Sequence, residues 1–289
     1  MKDSLQLVVG ADGQIGGALF AYLKQARVPV IGTVRDSGRA GPEHLNLDLR
    51  QDLRHWRPPC PVEVAYFCFG VTKLQDCSKD PLGSARINVQ ATLDLARILA
   101  AQGTFVIFLS SNQVFDGSRP REKADSPFSP VNEYGRQKAQ AEKGLREFED
   151  QVAFLRLTKV LGPETIFSDW AASLAAGKSV EAFSDLSICP FPIKGVVSIL
   201  RLVADRKEGG IWQVSGEKDL SYLEAARIGA RILGADPGLI KPTSRVKTGL
   251  GPETGGFYTS LNTDRLTKDL GLSLPPVDDV VRDAFLWMK

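Results

Sequence analysis

The sequence predicts an α/β chain: a parallel sheet covered by helices on both faces, with a smaller, discontinuous α/β lobe on its C-terminal side. Three observations predict it. Short apolar runs alternate with helical patterns as far as Thr158. Three glycines, Gly10, Gly13 and Gly16, stand between the first apolar run and the first helical pattern. Beyond Gly162 the alternation becomes irregular and is punctuated by Pro163, Pro190 and Pro192.

Residues 5–9 read as the first strand. Residues 14–27 place Ile15, Leu19, Tyr22 and Leu23 at helical spacing, so a helix with one apolar face follows. The second strand is expected over 28–34, a short third over 44–47 and a fourth over 62–69. A helix over 81–101 opens with Pro81, which needs no N–H partner in a first turn. Residues 104–110 form the fifth strand, 132–149 a long polar helix and 152–158 the sixth strand. Helical stretches at 168–176 and 195–204 precede a returning strand at 211–215. A helix spans 221–233, and 241–257, rich in glycine and polar residues, is a loop. The sheet domain is expected over 1–160 with about 188–215 returning to it; about 161–187 and 216–289 form the smaller lobe.

With 36 basic and 34 acidic residues the formal net charge is +2, which gives no reason to invoke nucleic acid or a membrane surface. No apolar stretch is long enough to span a bilayer, and the first strand begins without a signal-peptide apolar core. Cys60, Cys68, Cys77 and Cys189 lack paired spacing, and His44 and His55 are the only histidines. Reduced thiols, no metal site and a cytoplasmic location are expected.

The glycine turn is the strongest local signal. Gly10 permits a tight turn, Gly13 a close approach of a pyrophosphate, and Gly16 close packing of helix on sheet. With Asp12, Gln14 and Ile15 it forms a loop whose helix N-terminus offers N–H groups to phosphates. The whole is a Rossmann-type doubly wound sheet that binds a dinucleotide. At the end of the second strand, where a carboxylate would accept from a ribose 2′-OH, the chain has Thr33 followed by Arg35 and Arg39. A hydroxyl beside guanidinium groups suits a 2′-phosphate, so NADP(H) is favoured over NAD(H); Asp36 weakens the argument, and a solvated loop charge is the lesser alternative for Arg35. Asp48 can reach an adenine amino group or cap a following helix.

Tyr134 and Lys138 are four apart and share a helix face with Ala141, Leu145 and Phe148. An ammonium beside a phenol favours the phenolate, easing proton exchange near neutral pH. The plain alternative is a tyrosine covering a strand edge and a lysine reaching water. The fifth strand ends in Ser110-Ser111-Asn112-Gln113, so in a parallel sheet hydroxyls arrive at the cofactor end, where a serine can hold a substrate carbonyl.

These residues resemble the extended short-chain dehydrogenase/reductase family, within its dTDP-4-dehydrorhamnose reductase-like branch. The glycine loop, the stretch from Gly70 to Pro81 with Ile87-Asn88-Val89, and Ser110–Gly117 carry the likeness. Tyr134-Gly-Arg-Gln-Lys138, Leu155–Pro163, Gly210–Gly216 and Thr259–Leu266 extend it nearly to the end. The resemblance implies Ser111 as the carbonyl-binding hydroxyl, Tyr134 as general acid and Lys138 as the ribose partner. It places Leu49, Phe69, Gly70, Val71, Asn88 and Ser110 at the cofactor, and Thr72, Asn112, Gln113, Lys159, Trp170 and Phe191 at the substrate. Phe183 and Trp212 are stacking candidates too, with core packing the plainer reading for all these aromatic rings.

The departures are informative. Asn112-Gln113 stands where the reductases carry Asp-Tyr and the dehydratases Asp-Glu; two amides cannot shuttle protons, so dehydration is disfavoured. Lys159 replaces an aromatic residue. The expected activity is NADPH-dependent reduction of a nucleotide-linked 4-keto sugar. An epimerase using the same triad and a non-catalytic NADP-binding regulatory subunit are the alternatives. Relatives dimerise through the helices near 81–101 and 132–149, but here the outer row is Arg136, Gln140, Lys143 and Glu147, so a monomer or weak homodimer is expected.

Overall fold

In the computed structural model, which describes residues 5–163 and 165–287, the first apolar run is strand β1 (Gln6–Val9), buried along its length. The chain then turns through the glycines into helix α1 (Gln14–Gln25). Gly10 takes φ +82°, a conformation that side chains with a Cβ resist. Gly16 lets the helix lie on that turn, since a Cβ there would stand 2.1 Å from the Gly10 carbonyl oxygen. Strands β2 (Val30–Val34), β3 (His44–Asn46) and β4 (Val64–Phe67) follow. Next come α2 (Leu74–Lys79), α3 (Pro81–Ala85) and α4 (Thr92–Ala100). Strand β5 (Phe105–Ser111), helix α5 (Glu133–Leu145) and strand β6 (Val152–Leu157) complete the alternation. A helix over Ile193–Arg206 leads to the returning strand Gly210–Val214.

The seven strands are ordered Gly210–Val214, β6, β5, β4, β1, β2, β3. β1 pairs in parallel with β2 and with β4, β2 with β3, and β4 with β5. The order reverses at β1, and the crevice above the C-terminal ends of β1 and β4 is where such a sheet takes its ligand. This is the doubly wound α/β fold the sequence predicts. Alternate strand residues, among them Leu7, Val9, Phe67, Val106, Phe108 and Phe154, form one core with Leu95 and Leu99 of α4 and Ala141 and Leu145 of α5.

The protein divides into two compact units. The first comprises the residues up to Val114, Glu133–Arg156 and Lys194–Trp212; the second comprises Phe115–Asn132, Leu157–Ile193 and the residues from Gln213 onward. Segment 115–132, expected with the sheet, groups with the second unit because its backbone bonds go there. Tyr258 N donates to Gly117 O at 3.0 Å, Asn262 N to Glu122 O at 2.9 Å, and Glu122 N to Ser260 O at 3.2 Å. In the second unit Lys159–Leu161 pairs in parallel with Pro190–Pro192, and Val180–Phe183 with Ile240–Thr243. Its core gathers Phe167 and Trp170 from helix Ile166–Ala175, Ala226 from helix Tyr222–Leu233 and Phe285 from helix Val277–Leu286. Ser221 and Glu224 close a capping box at the head of Tyr222–Leu233.

Several expectations change. Tyr22 is 40 % exposed, because it lies about a quarter-turn away from fully buried Leu19 and Leu23 on α1. The helix expected over 81–101 contains a π-turn, Arg86–Ala91. The helix expected over 132–149 ends at Leu145 and passes into a 3₁₀ segment, Arg146–Gln151, where Phe148 (φ −118°, ψ 28°) leaves helical geometry. Among the described residues no helix lies between β3 and β4, so Asp48 caps none there; its carboxylate instead accepts from Arg50 N at 3.1 Å in a local turn. The loop expected over 241–257 holds most of strand Ile240–Thr243 and helix Arg245–Thr248. Arg136, Gln140, Lys143 and Glu147 are exposed. Among the described residues no helix is long and apolar enough to cross a membrane.

Candidate active site

A cavity of about 310 Å³ opens above β1, β2 and β4 in the first unit. Its lining includes Gly10, Asp12, Thr33, Arg35, Asp48, Leu49, Phe69, Gly70 and Val71, all singled out in the sequence. Gly13 heads α1 without a side-chain cap, which leaves the N–H groups of the first turn, Gln14 to Gly16, for an anion. Thr33 is 2 % exposed, and its hydroxyl accepts from Gly10 N at 3.0 Å, so it braces the glycine turn from below. Asp36, the residue that weakened the 2′-phosphate argument, spends its carboxylate on Gly38 N at 2.9 Å. Arg50, missed in the sequence, lines the cavity and holds Asp48 through Nε at 2.9 Å and Nη2 at 2.6 Å. The Arg50 bond keeps the Asp48 carboxyl below the usual carboxylate range, and Arg35 adds to this.

The second cluster is a stripe of α5 facing the ends of β4 and β5. Tyr134 is 9 % exposed and Lys138 2 %. The Ser111 hydroxyl accepts from Gln113 N at 3.2 Å and donates to Asn112 Oδ1 at 3.4 Å, and it neighbours the Tyr134 phenol. Lys138 Nζ donates to Leu109 O at 2.8 Å and lies 4.5 Å from the Phe108 ring centre and 5.9 Å from that of Tyr134. The three expected catalytic side chains are thus brought together.

Their electrostatics differ from expectation. Burial pushes the Tyr134 phenol well above its ordinary range, with Ser111 pulling weakly the other way. Burial also brings the Lys138 ammonium down to about 8. The lysine turns to a carbonyl rather than to the phenol, so desolvation decides the direction. Tyr134 is therefore a protonated acid at neutral pH.

Asn88 sits in the π-turn, a device common at functional sites. Its amide pins both backbone groups of Val71: Oδ1 accepts from Val71 N at 2.8 Å and Nδ2 donates to Val71 O at 2.9 Å. Nδ2 also reaches Gln137 Oε1 at 2.7 Å, so Asn88 holds the 70–71 turn against α5 rather than offering a free amide. Ser110 likewise departs from its expected place, because its hydroxyl is committed to Glu142 Oε1 at 2.5 Å.

Among the substrate candidates, Thr72 is exposed, Asn112 and Gln113 are half-buried, and Lys159 is exposed at the start of its strand. Trp170 packs edge-on against Phe167 at 5.5 Å and Tyr222 at 6.2 Å, within the second unit's core. Phe191 is 5 % exposed in strand Pro190–Pro192. Trp212, fully buried, donates from its indole to Glu208 O at 3.3 Å. Glu142 and Arg156 were missed, although a charged residue inside the apolar run 152–158 is itself a signal. Among the described residues no three His, Cys, Asp or Glu gather as metal ligands.

A family model, the RmlD substrate binding domain, matches residues 5–286. A probable low-salt glycan biosynthesis reductase, Agl14, of Haloferax volcanii is 26 % identical over 285 residues, covering 94 % of each chain. Methionine adenosyltransferase 2 subunit beta of Rattus norvegicus is 27 % identical over 76 % of this chain and 69 % of its own. A dTDP-4-keto-6-deoxy-D-glucose reductase of Streptomyces niveus is 24 % identical over 89 % of this chain and 88 % of its own. Among solved structures, dTDP-4-dehydrorhamnose reductase from Bacillus anthracis in complex with NADP superposes with a TM-score of 0.83 at 17 % identity, over 99 % of both chains.

Proposed function

The chain belongs to the RmlD substrate binding domain family, and on that premise we propose that it is an NADP(H)-dependent reductase of a nucleotide-linked 4-keto sugar. The observation that carries this reading is the buried cluster of Ser111, Tyr134 and Lys138, with the lysine Nζ 5.9 Å from the tyrosine ring centre and Ser111 beside the phenol. The residues fit a dinucleotide: the glycine turn leaves room beside an uncapped helix N-terminus, and the adjoining cavity is of ligand size. When bound, that cofactor supplies the hydride.

The chain's own groups do the rest. Asp12, Gly13, Gln14, Ile15 and Gly16 would hold the pyrophosphate, and Arg35 and Arg50 the 2′-phosphate. The pinned 70–71 turn and Lys138 would hold the ribose. Ser111 Oγ steadies the carbonyl oxygen of the substrate as charge grows on it. Tyr134, held protonated by burial, gives its phenolic proton to that oxygen. Asn112 and Gln113 offer amides only, which supports reduction over loss of water.

The similarity to a methionine adenosyltransferase subunit beta favours one second reading, a subunit that binds the cofactor without turning it over. Steady-state NADPH oxidation with a panel of nucleotide-linked keto sugars separates the two. The reductase reading expects turnover with at least one member; tight NADPH binding with no turnover across the panel leaves the subunit reading.

A further inference from the structure

The first unit holds a buried ionic network that the proposed chemistry leaves unused. Glu142 on α5 and Arg156 near the end of β6 each have side chains 1 % exposed. Arg156 grips the carboxylate as a fork, with Nε 3.0 Å from Oε1 and 3.2 Å from Oε2, and Nη2 2.7 Å from Oε2. Ser110, at the end of β5, donates to Oε1 at 2.5 Å. Two strands thus converge on one carboxylate of α5.

Glu142 lies one helical turn beyond Lys138 on the same face. The titratable groups that face Lys138 are Tyr134 and Glu142 on α5, Cys68 after β4 and Cys77 on α2. Burial pushes the Cys68 thiol up to about 12 and raises Cys77 as well, so both stay neutral, as does Tyr134. Glu142 is the fixed anion of the set, and its charge opposes the desolvation that strips Lys138 of its proton. A loose carboxylate one turn away would close on the ammonium and draw it from Leu109 O. Arg156 and Ser110 prevent this by occupying both oxygens.

We propose that Ser110, Glu142 and Arg156 form a positioning network for Lys138, fixing a negative charge behind the ammonium that keeps it protonated yet is held too firmly to pair with it. The two ionic partners therefore act on Lys138 with opposite sign. Losing Glu142 removes the anion that favours the ammonium, so Lys138 gives up its proton at lower pH. Losing Arg156 frees Glu142 to pair with Lys138, so the proton is kept to higher pH. A pair that only stabilised the fold would not divide in this way.

The test uses the full chain with lysines labelled with ¹³C at Cε, the Lys138 resonance assigned by its loss in Lys138→Gln, and titration followed by NMR. Glu142→Gln is expected to move the Lys138 midpoint to lower pH by about one unit. Arg156→Met is expected to move it to higher pH. The double variant removes both buried charges together, a change that interiors tolerate, and should shift the midpoint to lower pH by less than Glu142→Gln. Shifts of the same sign in the two single variants overturn the proposal. Where a single variant melts below the working temperature, the double variant decides: a midpoint unchanged from the parent overturns the proposal. The part this network plays in catalysis rests on the reductase reading, whereas the titration does not. The expected shifts without turnover would remove that reading and leave the network standing.

Discussion

Two carboxylate–guanidinium pairs occupy the same unit under opposite conditions. Asp48 and Arg50 face the cavity 2.6 Å apart, with the arginine side chain 62 % exposed; Glu142 and Arg156 meet at 2.7 Å with each side chain 1 % exposed. Water screens the first pair, so it contributes little to stability and can open to a ligand. Nothing screens the second, so removing either partner strands a charge in the interior. Near-identical bond lengths thus stand in opposite surroundings. The same division separates the cavity, whose apolar walls of Leu47, Leu49, Phe69 and Val71 carry exposed Asp12, Arg35 and Arg50 at the rim, from the dry stripe of α5.

The largest effect is expected of Tyr134→Phe in the dry stripe. It keeps the ring that packs in the dry stripe and removes only the proton. Turnover with the best substrate should fall by about a thousandfold or more, while NADPH affinity measured by fluorescence stays close to the parent's. Substantial residual turnover would take Tyr134 out of the chemistry.

Next in size is stability. Glu142→Ala should cost about 3–5 kcal/mol in denaturant unfolding, because the buried Arg156 guanidinium loses its carboxylate. Asp48→Ala should leave the unfolding midpoint unchanged. Equal losses would mean that exposure does not distinguish the two pairs.

A smaller effect is expected at the cavity itself. Arg35→Asp should move cofactor preference towards NAD(H) by about tenfold, one charge contact's worth, read by titrating both cofactors against both proteins. Equal affinities in the parent would make Arg35 a bystander. Smallest of all is assembly. The exposed row of Arg136, Gln140, Lys143 and Glu147 on α5 and the turn after it carries charges whose burial would be costly. Light scattering at micromolar concentration should therefore report a monomer or a weak dimer, and a stable dimer built on α4 and α5 would contradict this.

Much of the cavity was legible in the sequence because its signals are local. The apolar run, the glycines and the helix of β1, the turn and α1 are contiguous, and the spacing of Tyr134 and Lys138 needs only one helix. The dry network was not legible, because an acid four residues after a lysine reads as a solvated pair. Only the register of β5, β6 and α5 brings Ser110, Glu142 and Arg156 together. The π-turn was hidden in a stretch with ordinary helical patterning, and Asn88 shows its task only once Val71 lies beside it. Strand Ile240–Thr243 was hidden for the opposite reason, being polar and proline-bearing and made a strand by pairing with distant Val180–Phe183.

Isotope transfer tests whether the Ser111–Tyr134–Lys138 cluster directs reduction of a keto sugar. NADPH carrying deuterium at the transferable position of its nicotinamide would be incubated with a nucleotide-linked 4-keto-6-deoxyhexose and the product analysed by NMR. One deuterium at C4 of the sugar is expected for each NADPH consumed, and none with Tyr134→Phe. Bound cofactor with unchanged sugar, or an altered sugar with neither deuterium nor NADPH consumption, would contradict that role of the cluster.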